Sequence, residues 1–243
     1  MSETGRRLVL VGSDRVELEP FDVPEPGAGQ LLVRVHRSQI SAGSEKNAMV
    51  AATSADARRS SGYTMAGRVQ AVGSGVVEFK SGDKVLAFGN HASHWLAGQT
   101  SLSELASSVQ HIEYDLTYER AAFAVLGDVS LHGVRRAQLQ IDEPVAIFGQ
   151  GVVGQLVTAF CRLSGAYPIV AVDLDAARLR LSEISGATHT INASEEDAVE
   201  AVRELTDGGA RCVFHAPRDP EVLVPCMEAA GQRAKVILVG SPP

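Results

Sequence analysis

The sequence predicts an α/β protein in two parts, a β-rich first half followed by a doubly wound parallel sheet. Three observations carry this. Short apolar runs broken by turn residues fill the chain as far as Leu116, long alanine- and leucine-rich helical stretches begin at Thr117, and from Val145 onward strand-like and helix-like segments alternate.

In the first half, strands are expected at Leu8 to Val11, Leu31 to Val35, Met65 to Val72 and Lys84 to Phe88. PEPGAG, GSG and SGD separate them, because glycine and proline favour turns over ladders. Helices are expected over Thr117 to Val125 and Val129 to Leu139. A strand at Val145 to Phe148, a helix at Val152 to Ser164 stopped by Gly165, and a strand at Pro168 to Val172 come next. Asp175 can cap a helix over Ala176 to Ser185, and Ser194 with Asp197 another over Glu195 to Leu205. A strand at Cys212 to His215, a helix at Glu221 to Ala230 and a strand at Val236 to Val239 complete the alternation. Repetition of this kind requires a parallel sheet covered on both faces.

Composition narrows the function. At 243 residues the chain can bury a sizeable core without staples. Lysine and arginine number 22 against 29 acidic residues, a net charge of -7, and no basic block tracks a phosphate backbone, so no nucleic acid partner is expected. No apolar run is long enough to span a bilayer, and MSETGRRLVLVGSD lacks the plan of a signal peptide, so no membrane association is expected. The three cysteines, Cys161, Cys212 and Cys226, are widely spaced and form no CxxC. That fits a reducing compartment, and the expected location is cytoplasmic.

The stretch VAIFGQGVVGQ runs from a strand into a helix through a GxGxxG turn. Gly149 can make the tight turn, Gly151 can admit a pyrophosphate against bare backbone, and Gly154 can let helix and strand approach. Gln150, Val152 and Val153 complete the cradle, where the helix N-terminus offers unpaired N–H groups to phosphate. About 20 residues further on, at the end of the next strand, stands Asp173, an acceptor for ribose hydroxyls. A carboxylate there repels a 2′-phosphate, which favours NAD(H), while Arg178 nearby leaves NADP(H) open. The bland alternative is a doubly wound domain whose site is empty or reused.

The motifs extend beyond the glycines. ISAGSE (Ile40 to Glu45), GYTMAGRVQAVGSGVVEFKSGDKV (Gly62 to Val85) and AKVILVG (Ala234 to Gly240) together resemble the medium-chain dehydrogenase/reductase superfamily, the alcohol-dehydrogenase-like enzymes. The resemblance implies a GroES-like catalytic domain over about Met1 to Leu116, joined to a Rossmann domain over residues 117–243. It implies that Val239 and Gly240 end the strand that meets the nicotinamide. Zinc-dependent members carry a cysteine where this chain has Ala42, His-Glu where it has Tyr63 and Thr64, and a third ligand near Ala124. Alanine offers zinc nothing, and the four cysteines of the structural zinc lobe are also missing, so no metal is expected at either site.

Without metal, the protein must manage a proton or a developing oxyanion while the cofactor handles hydride. Ser44 matches a proton-relaying hydroxyl of the metal-dependent relatives, although a turn-making serine explains it equally. Tyr63 has a phenol that can donate to an oxyanion, although tyrosines more often only pack. Asp128, in AVLGDVSLHG, is either a helix N-cap or an acid facing the substrate. His91 and His94, in the loop FGNHASHW, are read as substrate contacts or loop polarity rather than a metal pair. Glu45 is expected to orient the loop that holds Ser44, and Trp95 lines the cleft or packs in the core. HAPRDP replaces the small-residue turn usual in the family after this strand.

The family's chain continues past Gly240, whereas this one ends at SPP, so the usual strand-to-strand dimer is not expected. An exposed last strand invites a partner chain or a homo-oligomer by another route. A shortened chain, a natural minimal variant and one half of a split protein all fit. The leading expectation is a zinc-independent, NAD(H)-preferring oxidoreductase acting on a small carbonyl, alcohol or activated alkene. The alternative is a redox-inactive relative that uses the fold for nucleotide sensing, non-redox chemistry or partner binding.

Overall fold

The computed structural model describes residues 3–51, 54, 57–98 and 109–240, so the terminal SPP lies outside the described residues. The chain divides into two compact units, Met1–Val125 and Leu126–Pro243.

The first unit contains two antiparallel sheets. In one, β1 (Thr4–Val11) lies between β2 (Arg15–Asp22) and the short β4 (Arg58–Ser60). The other has the order β7-β3-β5-β6-β8, built from β3 (Leu31–Ser38), β5 (Met65–Val72), β6 (Lys84–Ala87), β7 (His94–Ala97) and β8 (Val109–His111). Its core joins Leu31, Val33, Met65, Val69 and Val85, with Trp95 packed against it. Sequence periodicity does not reveal β2, because RVELEPFD carries charge on a ribbon with no buried residue. Between β3 and β4, α1 (Ala42–Val50) occupies the segment read as a loop, so Ser44 stands on a helix.

The boundary between units differs from the one expected after Leu116. Helix α2 (Tyr118–Ala121) belongs with the first unit, where Ala121 and Ala122 pack on Ala66 of β5. Thr117 caps α2, and the Thr64 hydroxyl donates to the Ala122 carbonyl at 3.0 Å. That carbonyl marks the break, and α3 (Ala124–Ala137) begins two residues later. Its buried positions, Val125, Leu126, Ser130, Gly133, Val134 and Ala137, hold helical spacing straight through Asp128. Asp128 is therefore an exposed residue in the second turn, and the N-cap reading of it fails.

In the second unit, β9 (Val145–Phe148), β10 (Ile169–Asp173), β11 (His189–Asn192), β12 (Ala210–His215) and β13 (Ala230–Leu238) form one parallel sheet in the order β11-β10-β9-β12-β13. This is the doubly wound sheet that the alternation predicts. Alternate strand residues face opposite ways. Val145, Ile147 and Phe214 pack with α3 and with α4 (Val152–Leu163), while Ala146, Phe148 and Val213 pack with α6 (Ala198–Leu205) and α7 (Leu223–Glu228). Helix α5 (Ala176–Ser185) starts at an Asp175 cap, as expected. Asp197 caps α6, which starts at Ala198, three residues later than expected. A single turn at Pro220–Val222 and the six-residue α7 replace the expected longer helix, and β13 begins at Ala230.

Candidate functional site

Strand order reverses between β9 and β12, with β10 on the other flank of β9, and the glycine turn leaves β9 at this switch point. Each glycine has a different reason to be there. Gly149 has φ of +84°, a left-handed conformation, and a Cβ on it would meet the Pro217 ring at 2.9 Å. A Cβ at Gly154 would lie 1.8 Å from the Gly149 carbonyl oxygen, so only glycine lets α4 approach the turn. At Gly151 a Cβ would touch nothing within 4 Å. The space there is open, which is what a pyrophosphate against bare backbone requires.

Gly151 is the N-cap of α4 and supplies no side-chain cap. The first backbone-bonded N–H of the helix is that of Gln155, which donates to the Gly151 carbonyl. The N–H groups of Val152, Val153 and Gly154 thus precede the intrahelical ladder and are free to meet an anion. Gln150 departs from expectation. Its backbone N–H donates to Asp173 Oδ2 at 2.6 Å, and its buried side chain donates to the Ile147 carbonyl and accepts from the Thr158 hydroxyl. Gln150 holds the turn from beneath and presents neither polar group to a ligand.

Asp173 is the last residue of β10. Oδ1 accepts from the N–H groups of Leu174 and Asp175, and Oδ2 binds the glycine turn through Gln150. Arg178 lies 3.8 Å from the same Oδ2, with its own side chain about half exposed. The carboxylate is therefore held in place beside the turn, with a cation next to it. On the other side of β9, the HAPRDP segment packs Pro217 against Gly149, and the N–H groups of Val239 and Gly240 both donate to the His215 carbonyl. Val239 sits over Gly133 and Gly240 against the carbonyls of Ala216 and Pro217, so both pack within the second unit.

In the first unit the structure assembles a polar cluster that the motif reading did not foresee. His91 is 5% exposed. Its N–H donates to the Ser61 carbonyl and its carbonyl accepts from Leu8, which stitches it to β1 and to the loop after β4. A Cβ on Gly62 would fall 2.7 Å from its ring. His91 Nε2 lies 3.0 Å from Glu45 Oε2, and Nδ1 lies 2.8 Å from Ser38 Oγ. Glu45 also accepts from Ser61 Oγ at 2.5 Å and from the Ser41 N–H at 2.8 Å, so it does orient the start of the segment carrying Ser44. Since a carboxylate only accepts, His91 Nε2–H points at Glu45, and Nδ1 faces the Ser38 hydroxyl. Ser38 had no sequence signal, because its partner is 53 residues away.

The other candidates lie outside this cluster. Ser44 is exposed on α1, 3.4 Å from Ser41 Oγ. Tyr63 is half-buried in the loop between β4 and β5, with its carbonyl accepting from Gly89. His94 opens β7 rather than sitting in a loop, and is buried between Ser93 and Glu3. Its desolvation, aided by Arg34 and opposed by Glu3, lowers its pKa below the ordinary histidine value. Among the described residues, no group of three histidine, cysteine, aspartate or glutamate side chains is placed to hold a metal ion.

Residues 152–243 match the zinc-binding dehydrogenase family. The chain is a homologue of the medium-chain alcohol dehydrogenases. Sorbitol dehydrogenase of Bacillus subtilis is 27% identical over 263 residues, a match covering 96% of this chain and 74% of that enzyme. The (R,R)-butanediol dehydrogenase of the same organism is 27% identical over 198 residues, covering 73% of this chain and 57% of that protein. The chain thus spans only part of the length of these medium-chain relatives. Among solved structures, benzyl alcohol dehydrogenase of Acinetobacter calcoaceticus superposes with a TM-score of 0.85 at 21% identity, over 99% of this chain and 78% of that one. A protein described as a zinc-binding dehydrogenase from Sinorhizobium meliloti 1021, bound to NADP, superposes at 0.86 with 23% identity over the same shares. These likenesses establish the fold of a medium-chain dehydrogenase, a GroES-like part followed by a Rossmann part.

Proposed function

We propose that the protein is a zinc-independent oxidoreductase that moves hydride between NAD(H) and a small alcohol or carbonyl compound. The observation that carries the reading is the glycine turn, open at Gly151, preceded by no side-chain cap and flanked by a fixed Asp173 carboxylate. Those residues fit a dinucleotide. Val152, Val153 and Gly154 would donate N–H groups to its pyrophosphate, and Asp173 would accept from a ribose hydroxyl. Arg178 beside Asp173 is exposed enough to swing toward a 2′-phosphate, so the preference for NAD(H) rests on the carboxylate. The relatives that act on sorbitol and butanediol support an alcohol or polyol substrate.

The positions that correspond to the zinc ligands of related enzymes do not fit the metal. Ala42 and Ala124 offer methyl groups, and the Thr64 hydroxyl is committed to the Ala122 carbonyl. Proton handling therefore falls to side chains. The cofactor supplies the hydride donor or acceptor. Glu45 orients His91 through Nε2 with Nδ1 against the Ser38 hydroxyl, a pair that can pass a proton, and the Ser44, Tyr63 and Asp128 side chains remain further candidates for contact with substrate.

Titration of the full chain with NADH and NADPH, followed by nicotinamide fluorescence, tests the reading. NADH-selective binding is expected, with Asp173→Ala weakening it about 10- to 100-fold through loss of charge-assisted hydrogen bonds. Turnover of sorbitol or butane-2,3-diol in the presence of a chelator is the second arm. Absence of binding by either cofactor overturns the oxidoreductase reading, and binding without turnover of any alcohol or carbonyl turns it into nucleotide sensing.

A further inference from the structure

Between the hairpin β1-β2 and helix α1 lies a cavity of about 500 Å³, entirely within the first unit. Its polarity changes from the mouth to the floor. The mouth is apolar and exposed, with Val16 at 52%, Ile40 at 60% and Val50 at 67% exposure, and Leu10 and Met49 line the wall. The deep end is polar, formed by Glu45, Ser61 and His91, with the histidine side chain 4% and the glutamate side chain 15% exposed. The floor groups keep one another satisfied, with Glu45 accepting from Ser61 and paired with His91. Helix α1 explains how the gap survives. It has no buried residue, so it does not close onto the hairpin.

We propose that this cavity binds a small aliphatic alcohol, its hydroxyl at the Glu45–Ser61–His91 end and its hydrocarbon chain along Leu10, Val16, Met49 and Val50. The size falls within the range of small-molecule pockets, which combine apolar walls with a few convergent polar groups. The head group follows from the floor. A carboxylate would meet the Glu45 carboxylate, and an ammonium would share the pocket with Lys46, which also lines it. A polyol would strand several hydroxyls against walls that offer no partner. A single hydroxyl can enter the Ser61–Glu45 hydrogen bond, accepting from the Ser61 hydroxyl and donating to the carboxylate, while His91 Nε2 stays on Glu45. The inference shares Glu45 and His91 with the proton handling proposed above but uses no residue of the glycine turn, so it can fail while NADH binding holds, and the reverse.

The test follows the ¹³C-methyl resonance of Met49 in the full chain during titration with 1-hexanol, hexanoate, hexylammonium and sorbitol. A saturable shift with 1-hexanol, at least about tenfold tighter than with the other three, is expected. Met49→Trp, which fills the cavity, and Val16→Lys, which places a cation in its mouth on an exposed strand, should each weaken 1-hexanol binding at least about tenfold. For Met49→Trp the readout is calorimetry. Circular dichroism and a cooperative thermal melt serve as controls of folding in both. No saturable response to 1-hexanol, equal binding of hexanoate, or unchanged binding by a folded Val16→Lys variant overturns the proposal, whether or not the protein binds NADH.

Discussion

A methyl group on Gly154 would stand 1.8 Å from a backbone oxygen, while one on Gly151 would meet nothing. The two glycines therefore predict different failures. Gly154→Ala should lower stability by about 2 kcal/mol or more, because the turn must move. Gly151→Val should fold within about 0.5 kcal/mol of the parent, as φ of -72° suits any residue, yet lose NADH binding. Thermal melts with and without NADH separate them. These roles were legible in the sequence because they depend on spacing along a strand-turn-helix unit. Gln150 was not, since its burial depends on Thr158 and Asp173 arriving from other elements. His94 makes a prediction of another kind. Burial lowers its pKa from the ordinary 6.5, so the unfolded chain takes up the proton first. Its contribution to stability is complete above about 6.5 and is lost as pH falls below that value. His94→Gln should flatten the fall in Tm on the acid side, measured from pH 7 down to 5.

Among the elements, helix starts that rest on one capping side chain were readable and their alternatives were not always ranked correctly. Asp197 accepts from the N–H groups of Val199 and Glu200, and Asp197→Ala should cost about 1 kcal/mol in chemical denaturation. Ser194→Ala should cost less, because the Ser194 hydroxyl donates to Asn192 instead of capping α6. Equal losses would contradict this assignment. The break between α2 and α3 could not be read locally. Gly127 and Asp128 look like a helix start, but the interruption comes where Thr64, 58 residues away, takes the Ala122 carbonyl. Likewise β2 lacks an apolar stripe of its own and becomes a strand by pairing with β1 over its full length.

For the whole molecule, all three cysteines lie in the second unit, buried in the two cores on either side of its sheet. Burial pushes the thiols of Cys212 and Cys226 up to about 12, and that of Cys161 higher still. Because the thiolate is the nucleophile, a thiol reagent at pH 8 should leave the native protein unmodified and react only as this unit opens. NADH bound at the glycine turn should slow the labelling further, by selective stabilisation of the folded unit. Fast labelling of the native chain would show that the sheet is not closed around these residues.

The sequence by itself determined the two-part architecture, the parallel character of the second sheet and the glycine turn with its acidic partner. Those features depend on periodicity and on short spacings, which are local. Only the tertiary structure decided that His91 joins Ser38, Glu45 and Ser61, that Asp128 lies within a helix, and that an apolar mouth opens above a polar floor beside α1. Each of these brings together side chains remote along the chain, and what unites them is burial and hydrogen bonding across sheets and loops, which no local pattern encodes.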